Sequence, residues 1–191
     1  MIRLLLAGDR PDRAPCGTLV VGMFSGERPP KGEAGWADWR TGGALSRAIQ
    51  GGRVDGAAGS CVLMPPGKLP AGKLLVVGLG APNEFKGKQL GAAIDLALQK
   101  LAGLKEDDFA IALPGTKPWP LPKDAAEVTG AHLLNALATA ARSAKIALLG
   151  TPEFLLEVRD WVRSAPGPVG SHVVLDDAPV SSNEARSESR T

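Results

Sequence analysis

Three loops of this chain carry residues whose types and spacing could do chemistry. The first is Ser25–Gly43, a long connection ending in Thr41-Gly42-Gly43 just before a helical pattern. Free backbone N–H groups at a helix start can receive an anion, and a capped entry turn uses the same residues. The second, Gly78-Leu79-Gly80-Ala81-Pro82-Asn83-Glu84, has a GxG but neither the third glycine nor the GK[ST] of a phosphate loop. It reads as a structural turn. The third is Pro114–Pro122, where prolines fix the backbone. Gly115 allows close approach, Thr116 offers a hydroxyl, Lys117 a cation for phosphate, and Trp119 a stacking face. A rigid connector with Trp119 in the core fits the same residues.

Other chemistries are poorly supplied. His132 lies in an Ala/Leu-rich helical stretch and His172 opens a strand, and neither sits in a Ser-His-Asp or Cys-His setting. No HExxH or carboxylate cluster at metal spacing is present, so no metal ligand, catalytic residue or cofactor is assigned. Cys16 and Cys61 form no CxxC and read as free, mostly buried thiols.

The elements that must position these loops are marked by apolar runs. Seven strands are expected, near residues 1–7, 18–24, 60–64, 73–79, 109–113, 145–149 and 171–175. Continuous apolar runs of this kind suit strands covered on both faces. Helical stripes predict helices at Glu84–Ala102 (Asn83 as cap), Lys123–Arg142 and Thr151–Arg163, and a shorter one from Gly43 to Gln50. Thr151-Pro152-Glu153 combines a hydroxyl cap, a proline at the first helical position and an acid at the positive helix end. The alternation predicts an α/β fold in three layers: a mixed, mostly parallel sheet of six or seven strands with helices on both faces. Strands one and two, and three and four, are joined without a helix, which favours antiparallel neighbours. Trp36 and Trp39 suit either a packed loop or an interface.

The 191 residues are 44% apolar and 22% charged, with net charge +2. That is the composition of a globular domain without a field of one sign, although a local patch can hide in it, so a nucleic-acid partner is not favoured. No apolar run approaches the ~18 residues of a spanning helix. The N-terminal apolar stretch is too short for a signal peptide, so a cytoplasmic location is expected. A domain over residues 1–178 and a flexible polar tail over 179–191 complete the organisation.

In their order, several segments resemble the N-terminal domain of leucyl aminopeptidases: Val20–Phe24, Gly42-Gly43, Gly56–Ser60, Leu74–Gly80 and Glu84-Phe85. The resemblance implies a macro-domain-like fold. Gly42–Ile49, including Ala44, is similar to the glycine-rich helix start of ADP-ribose-binding macro domains. Asp9 sits where those domains carry an adenine-contacting aspartate, and Pro114–Pro122 is similar to their second phosphate loop. The resemblance therefore implies a ligand set of Asp9, Thr41, Gly42, Gly43, Ala44, Gly115, Thr116, Lys117 and Trp119 for ADP-ribose or a nucleotide. The asparagines that accompany de-ADP-ribosylation have no counterpart after the strand, where Gly22-Met23-Phe24-Ser25 stands. Nor is there a counterpart of the Asn-Thr-Asp-Ala-Glu-Gly-Arg segment of the two-metal peptidase domain. The expectation is a non-catalytic binding or assembly module that self-associates or binds a protein.

Overall fold

A computed structural model describes residues 2–8, 10–112, 121–139, 144–165 and 173–176. The expected tail, and the expectations on Asp9, Gly115, Thr116, Lys117, Trp119 and His172, lie outside these residues.

All seven expected strands form: β1 (Ile2–Ala7), β2 (Cys16–Met23), β3 (Cys61–Met64), β4 (Ala71–Gly78), β5 (Asp108–Ala112), β6 (Ala144–Leu149) and β7 (Val173–Asp176). They make one sheet in the order β3-β4-β2-β5-β6-β1-β7. Every pairing is parallel except β3 with β4. The link between the third and fourth strands is therefore antiparallel, as expected, but β1 and β2 are not neighbours. After β1 the chain crosses one sheet face through a 3-10 turn, Pro11–Arg13, and enters β2 in the same direction as β1.

The helices are α1 (Gly32–Arg40), α2 (Ala44–Gln50), α3 (Gly87–Gly103), α4 (Ala125–Thr139) and α5 (Pro152–Ser164). Side chains alternate across the sheet. Val20 of β2 faces a core with Leu90, Ile94 and Leu101 of α3, Leu133 of α4 and Val158 of α5. Its neighbours Leu19 and Val21 face the other core, with Ala34 and Ala37 of α1 and Leu45 and Ile49 of α2. The result is the three-layer α/β fold read from the sequence, with α1 and α2 on one face and α3, α4 and α5 on the other.

Two expectations on local structure are corrected. The segment Ser25–Gly43 is not a continuous loop, because it contains α1. Gly32 and Gly35 weaken its helical signal, and its buried residues are Glu33, Ala34 and Ala37, with no large apolar side chain among them. Gly35 has a steric reason to be glycine: a Cβ there would lie 2.9 Å from the Pro30 carbonyl oxygen. Asn83 is not a helix cap. It sits in a 3-10 turn, Pro82–Glu84, and α3 starts later, where Gln89 Oε1 accepts from the Lys86 N–H at 3.3 Å. The Thr151 start holds as read, its Oγ1 accepting from the Phe154 N–H at 3.4 Å.

Candidate functional site

The segment Thr41-Gly42-Gly43-Ala44 is a tight turn between α1 and α2. Gly42 and Gly43 have φ of 64° and 78°, the left-handed region that glycine adopts without strain. The first turn of α2 already holds an anion from the chain itself. Asp38 Oδ1 accepts from the Ser46 N–H at 2.9 Å and Oδ2 accepts from the Ser46 hydroxyl at 2.6 Å. The turn lies against the entry to β4: Lys68 N–H donates to the Arg40 carbonyl at 3.0 Å. A Cβ at Gly67 would lie 2.8 Å from Thr41 Cα. Thr41–Ala44 thus sits at the end of the sheet where the parallel strands begin. Gly8 follows the last residue of β1 at the opposite end, where those strands finish.

The Gly78–Glu84 loop is a structural knot, as its sequence suggested. Gly78 N–H donates to Ser60 O at 2.9 Å, Gly80 N–H to Gly56 O at 2.9 Å, and Ser25 N–H to Gly80 O at 2.9 Å. A Cβ on Gly78 would collide with the Ala57 carbonyl oxygen. Nearby, Phe24 and Phe85 meet edge to face with centroids 4.9 Å apart.

His132 reaches from α4 to α3, where its Nδ1 lies 2.6 Å from Asp95 Oδ1. Its imidazole fills the space that a Cβ on Gly91 would occupy. This is a helix–helix clamp. Among the described residues no group of three or more His, Cys, Asp or Glu could hold a metal ion. Cys16 and Cys61 are free and half-buried rather than mostly buried. Burial pushes the Cys16 thiol up to about 11 and also raises Cys61, so both are poor nucleophiles at neutral pH.

The most elaborate side-chain assembly is one the sequence did not single out. Asp12 is 1% exposed in the 3-10 turn after β1. Its carboxylate accepts two bonds from Arg10, Nε at 2.8 Å and Nη2 at 2.9 Å, and one from Arg40 Nε at 3.2 Å. Each guanidinium lies over an indole of α1: Arg10 is 3.7 Å from the Trp36 ring centroid and Arg40 is 4.9 Å from that of Trp39. The indoles meet edge to face at 6.5 Å. Trp36 is 38% and Trp39 63% exposed, so neither belongs to the core. Trp-x-x-Trp-Arg, with its i, i+3 spacing on one helix face, was the available signal. The partners Arg10 and Asp12 are remote in sequence and carried none.

The Arg10 guanidinium hydrogen-bonded to Asp12 holds its carboxyl below the ordinary 3.8, with Arg40 adding to the effect against the cost of burial. Folding therefore releases a proton from this group in acid. Its stabilisation is complete above the unfolded-chain value and is lost as pH falls through the lowered value. Asp12→Asn is expected to cost about 1–3 kcal/mol at pH 7, the range of a charge-assisted hydrogen bond. The gap between variant and parent in urea midpoint should close as the pH is taken below 3.8. A gap that stays constant down to acid unfolding would show that the ion pair is not its source.

Residues 20–137 match the sequence profile of the cytosol aminopeptidase family, N-terminal domain. The chain belongs to this family. A probable cytosol aminopeptidase of Geobacter sp. (strain M21) is 35% identical over 114 residues, 59% of this chain and 23% of that protein. The chain thus spans about a quarter of the length of the curated relatives it matches. Among solved structures, a tomato leucine aminopeptidase mutant superposes with a TM-score of 0.60 at 17% identity, covering 83% of this chain and 35% of that one. A Trypanosoma brucei macrodomain in complex with ADP superposes with a TM-score of 0.64 at 16% identity, covering 84% of this chain and 69% of that one. The cytosol aminopeptidase N-terminal domain described here therefore has the macrodomain-like fold. No helix among its described residues is long and apolar enough to cross a membrane.

Proposed function

We propose that this chain is a non-catalytic binding and assembly module of the cytoplasm, which associates with itself or with a protein partner and does not hydrolyse peptides. The observation that carries this reading is the nature of the match, to the family's N-terminal domain over residues 20–137. The outward-facing Trp36 and Trp39 agree with it, since tryptophan is the residue most enriched at energetically dominant contacts. The test is leucine-amide hydrolysis by the pure chain with added Zn²⁺ or Mn²⁺, together with light scattering. No turnover and a mass above the monomer, or a specific protein retained on purification, is the expected result. Metal-dependent turnover, or a strict monomer retaining nothing, overturns the reading.

A second reading is ADP-ribose or nucleotide binding through Asp9, Thr41–Ala44 and the loop at 114–122, although Thr41–Ala44 lies where the parallel strands begin and residue 8 where they end, so the two do not line one site. The likeness to a macrodomain in complex with ADP favours it. Against it, Asp38 already fills the first turn of α2. Calorimetric titration with ADP-ribose, with AMP as control, decides: micromolar binding corresponds to about −8 kcal/mol. No heat up to millimolar ligand removes this reading.

A further inference from the structure

The net charge of +2 conceals an uneven distribution. Between residues 10 and 68 there are eight Lys and Arg against five Asp and Glu. Burial then separates them by sign. Asp12, Glu27 and Glu33 are buried, leaving only Asp38 and Asp55 outside the interior. No cation of the segment is buried: Arg13, Arg28, Lys31, Arg47, Arg53 and Lys68 are exposed, and Arg10 and Arg40 are half-exposed. These residues belong to the layer built from the 3-10 turn, α1, α2 and their connections, on one side of the sheet. The opposite layer shows no such separation, since Asp95 of α3 and Asp160 of α5 have side chains 61% and 67% exposed. With Asp12 offsetting part of the Arg10–Arg40 charge, the segment still carries three more cations than anions, so the α1–α2 layer presents a net positive surface on which Trp36 and Trp39 are also exposed.

We propose that this surface docks an acidic segment of a protein partner, its carboxylates meeting exposed cations such as Arg13, Arg28, Arg53 and Lys68 and its side chains packing against what Trp36 and Trp39 leave exposed beside their guanidiniums. The proposal rests on the binding-module reading above and names the partner's chemistry. Arg10 already grips the internal Asp12 carboxylate with two parallel N–H donors, so the partner's carboxylates are left to the other cations of the layer. The same buried carboxylate, with the indoles beneath, fixes Arg10 and Arg40 before any partner arrives, so little of their side-chain entropy is lost on binding. A carboxylate-bearing chain suits the site better than stacked bases do. Each indole already has a guanidinium over its ring, and the pair meet edge to face rather than forming an open stacking platform.

The experiment is fluorescence anisotropy of the full chain with a labelled twelve-residue Glu-rich peptide. A Gln-substituted peptide of equal length and oligo-dT of twelve nucleotides serve as comparisons. Binding of the Glu peptide should weaken at least about tenfold between 50 and 300 mM salt, because screening shortens the reach of exposed charges. Trp39→Ala and Arg53→Glu, both at exposed positions that leave the core intact, should each weaken it at least about fivefold. Three results overturn the proposal: no binding of the Glu peptide at 50 mM salt, equal binding of the Gln peptide, or tighter binding of oligo-dT with the same sensitivity to both variants. The last would reassign the surface to single-stranded nucleic acid. Leucine-amide turnover in the same preparation would separately overturn the non-catalytic reading while leaving the peptide result interpretable.

Discussion

Gly78→Val is expected to destabilise the chain by about 3 kcal/mol, the upper end of ordinary overpacking. In a domain of this size that lowers the melting temperature by about 6–12 °C. The obstacle is backbone rather than a side chain that can swing away. A Cβ at Gly78 meets the Ala57 carbonyl oxygen and the Ser60 hydroxyl, and the Ala57 carbonyl carbon lies 2.8 Å away. Relief requires moving residues 57–60. That movement strains the Gly78 N–H bond to Ser60 O and the Ser60 N–H bond to Ala57 O, at 2.9 and 3.0 Å. Gly59→Ala is the control. Gly59, unlike Gly78, has a positive φ, 81°, but a Cβ there meets nothing within 4 Å, so only backbone strain of about 1 kcal/mol is expected. If Gly78→Val melted no lower than Gly59→Ala, the close packing around the end of β4 would not be what holds that corner.

Leu148→Ala is expected to cost about 2–5 kcal/mol. Leu148 is fully buried on β6. It is in register with Ile111 of β5 on one side and Leu6 of β1 on the other, and all three belong to the core beneath α3, α4 and α5. A row of three apolar side chains held by parallel strands cannot close over a missing neighbour without shifting the sheet, so much of the cavity should persist. Leu148→Met keeps the volume and should cost less than about 1.5 kcal/mol. Urea unfolding of both variants separates loss of packing from a general intolerance at the position. Equal losses in the two would contradict the cavity account.

The strands were legible because their burial is nearly complete. Leu74-Leu75-Val76-Val77 is apolar at every step because β4 faces a core on each side. Alternation, the usual mark of a strand, would have missed it. The start of α5 was legible because its cap chemistry is local. The first helix was not. Its buried residues are two alanines and Glu33, its tryptophans are exposed, and two glycines interrupt the stripe. The seat of β1 was also hidden, because a short link suggests a hairpin and nothing in residues 8–15 announces a crossing of the sheet. The same limit hid the Arg10–Asp12–Arg40 assembly, which exists only because the 3-10 turn after β1 is laid against α1. Thr41-Gly42-Gly43 was legible as a helix start that either receives an anion or makes a capped entry turn; the left-handed φ of both glycines came only with the structure. What occupies the helix start beside them, Asp38, is a tertiary fact.

The position of β1 has a consequence for how the chain comes to be. β1 is flanked by β6 and β7, so its hydrogen-bonding partners follow more than a hundred residues behind it. At about 5–20 residues per second, β1 waits on the order of ten seconds for a neighbour. The block β2-β4-β5, joined by α3 and paired within itself, reaches completion well before then. The pairings of β2 with β4 and β5 are thus available to the nascent chain well before β1 has a hydrogen-bonding neighbour. Leu4, Leu5 and Leu6 spend that interval without a neighbouring strand, the period in which a nascent chain of this topology most needs protection from its neighbours.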